Sequence, residues 1–321
     1  MGASRRDEKE YEYPAGASLP CATVIYQHPL AYLLGLEGLA LLRGWAGDFD
    51  REFVLARLAE VRRLLDEPAL ADHPGVDVAR RDSQAGYRTW APTYDDPDNG
   101  LFALDQPTVD AILDALPVGD ALDAACGTGR FSVGLAARGY RVVGVDSSPE
   151  MLELARAKVP EAEFHVGGID DLPIPDGSVD LVVCALSLTH VPDLAPVMAE
   201  FARVLRPSGH VVIADAHHEL VFRGSIVKAL GPNGEPGLVA TYRHTPGDVL
   251  RAALPVGLQV RRCEEPRLSS RDSRSQAPQP PADFTVGASE DWPWTLLPLV
   301  PAAAQAAWEI PAVIVWDFER T

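Results

Sequence analysis

The middle of the chain alternates between short apolar runs and segments with a helical spacing of apolar residues. Apolar runs stand at 119–123, 141–146, 162–166, 178–185 and 209–215, with two more at 258–264 and 311–318. Helical patterns follow several of them, at 130–139, 147–158, 194–206 and 246–254. Strands and helices that alternate in this way are typical of βαβ units, so the pattern predicts an α/β protein with a mostly parallel sheet.

The N-terminal third has a different pattern. Residues 1 to about 20 are polar, residues 28–45 are rich in leucine, and Asp50 could cap a second helix with apolar residues up to Leu65. Prolines and a glycine at 68–75 suggest a boundary near residues 67–82. We therefore expect residues 1–82 to be a tail plus a helical cap or dimerisation segment, although the two helices could equally pack on the main domain. A helix at 106–116, with Pro107 near its start, leads into the first strand.

The stretch D-A-A-C-G-T-G-R at 123–130 joins the first strand to the next helix. A glycine-rich turn lets a ligand approach the backbone closely, and the helix start offers unpaired N–H groups to a negatively charged group. A dinucleotide site would need glycine or alanine three positions after Gly129, where this chain has Ser132. A nicotinamide site is therefore disfavoured.

The second strand ends in Asp146, 17 positions after Gly129, where a carboxylate can accept hydrogen bonds from both ribose hydroxyls. Together, D-A-A-C-G-T-G-R and V-V-G-V-D-S-S-P-E-M-L resemble the first two motifs of the class I S-adenosylmethionine-dependent methyltransferases, and the resemblance extends from about Tyr87 to the C-terminus. It implies a Rossmann-like, seven-stranded, mostly parallel sheet with an antiparallel last strand beside strand five, helices on both faces, and an additional N-terminal helical segment. The methyltransferase domain would span residues 83–321, with substrate-side insertions at about 216–246 and 266–300.

The resemblance also implies S-adenosylmethionine as the cofactor and a set of residues that bind it. Tyr94 belongs to a W-A-x-x-Y-D segment that folds over the cofactor in the family, where an aromatic face could attract the sulfonium, or could simply pack. Gly168 stands where the family usually has an acid that binds the adenine amino group; Asp170 could replace that acid or be a solvated turn residue. The predicted cofactor residues are Tyr94, Asp123, Ala125, Gly127, Gly129, Asp146, Ser147, Met151, Ile169, Asp170 and Ala185.

Three histidines are candidates for catalysis. His190 lies in a loop that resembles the family's H-V-x-D segment, where it could act as a base or could order the loop. His217 lies just beyond strand five, at the sheet edge where ligands bind, and could be a base or could bond the backbone of the 216–246 flap; His244 lies in that flap. Histidine titrates in the range that a general base needs.

Composition limits the partners and the cellular setting. The net charge is −18, from 46 acidic and 28 basic residues, which repels nucleic acids and anionic membranes. Four cysteines without metal-ligand spacing, and a charged N-terminus without an apolar signal core, predict a cytoplasmic protein that holds no metal.

We therefore expect methyl transfer to oxygen, nitrogen or carbon of a small organic acceptor, with a possible homodimer through the N-terminal helices. The alternatives are an S-adenosylmethionine-binding enzyme for another reaction such as cyclisation, a nicotinamide dehydrogenase, and a non-catalytic binding protein.

Overall fold

The structure is a computed structural model that describes residues 24–83, 86, 95, 100–224, 227–229, 231, 235–267, 284–308 and 310–321. Its strands are β1 Val24–Gln27, β2 Val76–Arg81, β3 Asp120–Ala124, β4 Arg141–Asp146, β5 Glu163–Val166, β6 Val179–Ala185, β7 Leu205–Ala216, β8 Gly237–Val239, β9 Leu258–Glu264 and β10 Val313–Arg320. Its helices are α1 Pro29–Ala46, α2 Arg51–Asp66, α3 Pro68–Ala71, α4 Phe102–Leu113, α5 Arg130–Ala137, α6 Pro149–Lys158, α7 Leu194–Val204, α8 His218–Phe222, α9 Pro246–Ala253 and α10 Pro301–Trp308.

Within the described residues, seven strands form the main sheet in the order β5-β4-β3-β6-β7-β10-β9. Strands β3 to β7 are parallel, and β10 runs antiparallel between β7 and β9, with Val315 opposite both Ala214 and Glu264. The chain builds outward from β3 to β5 and then returns to β6 on the other side of β3. This arrangement confirms the predicted fold class, and it places a topological switch point at the carboxyl ends of β3 and β6.

Helices cover both faces of this sheet because alternate strand residues point to opposite sides. Leu122 and Val182 face α7 and α9, whose buried residues include Phe201 and Val249. On the opposite face, α4 and α5 pack against β3, β6 and β7. Helix α6 buries Leu152 and Ala155 beside β5. The resulting two-sided core holds the parallel strands rigid, and so fixes the loops at their carboxyl ends.

Two predicted boundaries in this core are wrong. Helix α4 begins at Phe102, so Pro107 lies inside the helix rather than in its first turn, where it removes one backbone hydrogen bond. Strand β7 begins at Leu205 instead of residue 209, and it includes Pro207. A register shift between Val179 and Leu181 of β6 accompanies this extension, and an irregular ladder of this kind tolerates a proline.

The N-terminal helices pack against a segment from near the other end of the chain. Leu33, Leu36 and Ala40 of α1 form one buried cluster with Trp292, Leu296 and residues of α10. We call this unit, residues 24–81 with 284–308, the cap. The predicted polar linker or lid at 266–291 falls partly on residues 268–283, outside the described residues, whereas from Phe284 onward the segment packs on the cap. The expected domain division near residue 82 stays a prediction.

A second sheet joins the cap to the 216–246 flap. Strand β1 pairs antiparallel with β2, and β8 of the flap pairs parallel with β2. Helices α1 and α2 match the sequence pattern, and the Asp50 side chain accepts a hydrogen bond from the Phe53 amide at 2.8 Å, which confirms the predicted cap. The same segment also contains β1 and β2, which the sequence pattern did not indicate. In the part of the chain that the structure describes, every helix is too short or too polar to cross a membrane.

Candidate active site

A cavity of about 440 Å³ opens at the carboxyl ends of β3 to β6. The loops after all four strands contribute to its wall, together with the residues that follow β2. Its lining residues are Asp82, Ser83, Ala125, Gly127, Asp146, Ser147, Ser148, Met151, Gly167, Gly168, Ile169, Asp170, Ala185, Leu186, Ser187, His190, Val191 and Pro192. The cavity therefore lies at the switch point, where ligands bind in open α/β sheets.

The glycine turn between β3 and α5 forms one end of this cavity. Gly127 and Gly129 have φ values of 53° and 81°, in the left-handed region that favours glycine. A Cβ atom on Gly129 would lie 3.1 Å from the Cβ of Ala155, so the turn packs closely against α6. Gly127 and Ala125 line the cavity, whereas Gly129 lies behind it as the N-cap of α5.

Asp146 connects the glycine turn to the start of α6. One carboxylate oxygen accepts a hydrogen bond from the Gly127 amide at 2.8 Å, and the other accepts from the Ser148 amide at 2.8 Å. Burial raises the pKa of Asp146, while these amide bonds favour its ionised form. Its position at the end of β4 gives the cavity a fixed carboxylate, with Ser147 and Met151 beside it.

The loop after β5 forms the opposite wall, with Gly167, Gly168, Ile169 and Asp170. A Cβ atom built on Gly168 would lie 2.5 Å from a carboxylate oxygen of Asp170. The Asp170 carboxylate therefore occupies the space that a side chain at position 168 would fill. The Asp170 carboxylate thus lies where the acid of the family pattern, at position 168, would place its side chain.

The loop after β6 is held by a buried carboxylate on the neighbouring strand. Asp215 of β7 accepts hydrogen bonds from the amides of Thr189 at 2.8 Å and Ala216 at 2.7 Å. Burial raises the pKa of Asp215 to about 7. Ala185 lines the cavity at the end of β6, and Leu186 has a φ of 52°, which turns the chain sharply there. The buried acceptor on Asp215 stabilises this turn.

The flap reinforces the same loop from outside. The His190 ring donates from Nδ1 to the Ala240 carbonyl at 2.9 Å, and the His244 ring donates from Nε2 to the Val191 carbonyl at 2.8 Å. The Tyr242 amide donates to the Thr189 carbonyl at 2.7 Å. Burial lowers the pKa of His190, which keeps its imidazole neutral near pH 7. His190 lines the cavity. His244 bonds the loop at Val191 but is not among the cavity-lining residues.

The charges in the cavity wall have one sign. Asp82, Asp146 and Asp170 contribute carboxylates, and none of the described lining residues is Lys or Arg. Such a wall favours a ligand with positive charge and disfavours a pyrophosphate. Over the described ranges, no group of three or more His, Cys, Asp or Glu side chains is arranged to hold a metal ion.

Comparison with known proteins agrees with this geometry. Residues 122–213 match the family model described as methyltransferase domain, which covers the glycine turn, Asp146 and the loop after β6. The chain carries a methyltransferase domain. The resemblance of the sequence to S-adenosylmethionine-dependent methyltransferases is thereby confirmed at the level of this domain.

Two curated relatives each match about a third of this chain. An uncharacterized 37.1 kDa protein in transposon TN4556 of Streptomyces fradiae is 43% identical over 110 residues, which are 32% of this chain and 32% of the relative. Demethylmenaquinone methyltransferase of Chlorobaculum parvum is 39% identical over 110 residues, 34% of this chain and 44% of the relative. The chain thus matches less than half the length of each of these two relatives.

A solved structure extends the likeness in fold. The complex between the Trm112 methyltransferase activator of Haloferax volcanii and a methyltransferase contains a chain that matches with a TM-score of 0.50 and 22% identity. The match covers 75% of the present chain and 98% of the other. At this identity the match supports the fold of the methyltransferase domain and nothing further.

Two of the predicted cofactor residues, Asp123 and Gly129, do not line the cavity. Asp123 is buried, accepts a hydrogen bond from the Ser132 hydroxyl at 2.6 Å, and has its pKa raised to about 6 by burial. It supports the start of α5 and does not line the cavity wall. Tyr94 lies outside the described residues, so its prediction as a cofactor residue stays open.

His217 has both ring nitrogens engaged outside the cavity. The Glu219 amide donates to its Nδ1 at 3.2 Å, and its Nε2 donates to a Glu265 carboxylate oxygen at 3.1 Å. Its side chain is only 2% exposed, and it caps the start of α8. Nothing in this arrangement places His217 against the cavity, and its role as a general base remains a prediction.

Sequence reasoning missed three described residues that reach the site from the chain before β3. Asp82 and Ser83 follow β2 of the cap and line the cavity, although the pattern indicates only a boundary near residues 67–82. No local signal points to them, because their position depends on pairing between β2 and the flap strand β8. The third is Asp95, whose carboxylate accepts a hydrogen bond from the Thr128 hydroxyl in the glycine turn at 2.7 Å.

Arg130, at the start of α5, joins α5 to α4 beside the glycine turn. Its guanidinium makes two bonds to the fully buried Asp105 of α4, at 2.8 and 2.6 Å, and one to the side chain of Gln106 at 2.8 Å. It also lies 4.2 Å from the ring centres of Phe102 and Phe131. These contacts leave Arg130 with a structural role.

Proposed function

We propose that the chain is an S-adenosylmethionine-dependent methyltransferase that methylates oxygen, nitrogen or carbon of a small organic acceptor. The observation that carries this proposal is an acidic cavity at the switch point, built from the glycine turn, Asp146 and the loops after β5 and β6. The match of residues 122–213 to a methyltransferase domain supports the same reading.

The charge of the cavity fits this cofactor. S-adenosylmethionine carries a sulfonium and an ammonium group against a single carboxylate, so it is cationic near pH 7. Three carboxylates in the described wall, at Asp82, Asp146 and Asp170, complement that charge. A nicotinamide dinucleotide would bring a pyrophosphate, to which this wall offers no side-chain cation among its described residues.

Each part of the wall has a binding role that its chemistry supports. Asp146 would accept hydrogen bonds from the ribose hydroxyls. The Asp170 side chain and the Ile169 backbone would form hydrogen bonds with the edge of the adenine ring. The glycine turn would let the methionine part approach the backbone closely, and Ala185 lies in the same wall at the end of β6.

S-adenosylmethionine supplies a methyl group on an already activated sulfonium, so positioning and exclusion of water are the main tasks left to the protein. The loop after β6 serves both tasks, because Asp215 and the flap fix it at Thr189, His190 and Val191. Where the acceptor must lose a proton, His190 is the base candidate that the described cavity offers, since burial keeps it neutral.

The acceptor class follows from charge. A net charge of −18 opposes nucleic acids and anionic membranes, so a small organic molecule is the fitting acceptor. Buried and unpaired Cys126 and Cys184 support a reducing, cytoplasmic setting. A homodimer through the N-terminal helices would use outward side chains such as Leu42, Trp45 and Leu55, because Leu33 and Leu36 are buried within the cap.

Calorimetry and mass spectrometry test the proposal. The protein should bind S-adenosylmethionine and S-adenosylhomocysteine but not NADH, and a mixture of candidate acceptors should release S-adenosylhomocysteine with a gain of one methyl mass in one acceptor. Binding of NADH without binding of S-adenosylmethionine would overturn the assignment. Cofactor turnover without a methylated product would instead indicate another reaction on the same cofactor.

Asp146→Ala should weaken binding of S-adenosylhomocysteine at least about tenfold, because hydrogen bonds to a charged group contribute about 1.5–3 kcal/mol each. Calorimetry measures the affinity, and urea unfolding checks that the variant is folded. Wild-type affinity in a folded Asp146→Ala variant would remove Asp146 from the site.

A further inference from the structure

Asp95 makes two contacts that connect separate parts of the methyltransferase domain. One carboxylate oxygen accepts a hydrogen bond from the Thr128 hydroxyl at 2.7 Å, and the other lies 2.6 Å from the ammonium of Lys158. Thr128 stands between the two glycines of the turn and is 1% exposed, whereas Lys158 is the last residue of α6. Asp95 thus links the glycine turn to the far end of α6.

Two further contacts of the glycine turn come from the end of β4 and from α6. The Gly127 amide donates to Asp146 at the end of β4, and Gly129 packs against Ala155 in the middle of α6. Both attachments come from elements that follow the turn in sequence. Asp95 adds a contact from the chain before β3, and it holds the side chain of the residue between the two glycines.

The Thr128 hydroxyl needs this acceptor. A buried hydroxyl without a partner carries a desolvation cost, so loss of the Asp95 carboxylate would favour a different Thr128 rotamer or a shifted turn. Gly127 would shift with it, because it is the next residue and its amide bonds the carboxylate of Asp146. The ion pair with Lys158 orients the Asp95 carboxylate, at a site where the two side chains are 34% and 46% exposed.

We propose that Asp95 is a positioning residue for the cofactor site, which fixes the glycine turn through Thr128 while Lys158 orients its carboxylate. This inference rests on the proposed function, since it takes S-adenosylmethionine as the ligand of the turn. It predicts an effect on cofactor affinity and none on the chemical step once the cofactor is saturating.

Calorimetry with S-adenosylhomocysteine and steady-state kinetics on the full chain test the proposal. Asp95→Ala and Thr128→Val should each weaken the affinity about tenfold, the change expected for one hydrogen bond to a charged group, with kcat unchanged. The double variant should be no weaker than either single one, because both remove the same contact. Asp95→Asn keeps an oxygen acceptor and should retain most of the affinity.

Asp48→Ala is the matched control. Asp48 pairs with Arg43 at 2.8 Å in the cap and is 47% exposed, close to the exposure of Asp95, so its removal should leave cofactor affinity unchanged. If Asp95→Ala unfolds, Thr128→Val decides the matter, since valine has the shape of threonine and lacks only the hydroxyl.

Three results would overturn the inference: wild-type affinity in Thr128→Val, additive losses in the double variant, or a fall in kcat with unchanged affinity. A wild-type protein that binds no S-adenosylhomocysteine would overturn the proposed function as well. If the wild type binds S-adenosylhomocysteine and Asp95→Ala binds it with the same affinity, only the role of Asp95 is overturned.

Discussion

At the scale of single residues, the loop after β5 shows how a motif can move along the sequence and keep its place in space. The family pattern expects an acid at position 168, and this chain has glycine there. Asp170 directs its carboxylate into the volume that a side chain at position 168 would occupy, 2.5 Å from an ideal Cβ. The two positions therefore cannot both carry a large side chain without rearrangement.

The exchange of these two residues gives a direct prediction. Asp170→Ala should weaken S-adenosylhomocysteine binding about tenfold, and Gly168→Asp in the same chain should restore much of it, because the carboxylate returns to the same volume. Calorimetry should also compare an analogue with oxygen in place of the adenine amino group, whose affinity should not change in Asp170→Ala.

The control for this exchange is Asp171→Ala, because Asp171 is adjacent in sequence but does not line the cavity. Equal losses from Asp170→Ala and Asp171→Ala would mean that the loop, and not the Asp170 carboxylate, supports the cofactor.

At the scale of elements, the sequence predicts best what local pattern determines. The strands β3, β4 and β6 and the helix α2 follow from apolar periodicity and from the Asp50 cap, and all lie within one or two residues of their predicted bounds. The strands β1, β2 and β8 have three to six residues each, and β8 finds its partner more than 150 positions away in β2. Their pairing is a tertiary effect, which local propensity does not encode.

The same distinction applies to the site. Asp146 and the glycine turn were predictable because a strand and its following turn carry them together. Asp82, Asp95 and Asp215 were not identified as site or support residues, because only the tertiary fold brings each of them to the site. His217 shows the converse, since its place beyond β7 was right while its ring is engaged with Glu219 and Glu265.

The ion pair between Arg130 of α5 and Asp105 of α4 gives a prediction on stability. Arg130→Met should lower the free energy of unfolding by about 3–5 kcal/mol, because it leaves the buried carboxylate of Asp105 without its partner. Burial already raises the pKa of Asp105, which Arg130 opposes. Adding Asp105→Asn to Arg130→Met should recover part of the loss, since the neutral amide removes the buried charge.

Urea unfolding measures these free energies, with Arg141→Met as the control. Arg141 pairs with Asp120 at 2.5 Å, but its side chain is 81% exposed, so its loss should have little measurable effect. A similar, small effect of both arginine variants would show that the pair of Arg130 and Asp105 contributes no more than a surface ion pair.

At the scale of the whole molecule, buried acids should set the pH dependence of stability. Burial raises the pKa of Glu37 and Asp215 to about 7 and that of Asp123 to about 6. These groups bind protons more tightly in the folded than in the unfolded chain, so their stabilising contribution is complete below the ordinary carboxyl pKa and is lost as pH rises toward 7. Carboxyls with lowered pKa values, such as Asp120 and Glu200 beside arginines, lose their contribution only at acidic pH.

The urea midpoint should therefore fall between pH 5 and pH 7 and level off near pH 8. Glu37 tests the cause, because its carboxyl is fully buried in the cap, 2.8 Å from Arg57, and has one oxygen without a partner. The glutamine of Glu37→Gln has no carboxyl proton to release. The urea midpoint of this variant should therefore fall less steeply between pH 5 and pH 7 than that of the wild type. Glu52→Gln, at an exposed position in α2, should keep the wild-type slope. A wild-type midpoint that rises from pH 5 to pH 7 would show that the buried acids do not set the pH dependence. Equal slopes for the two glutamine variants would show that Glu37 does not hold its proton in the folded protein.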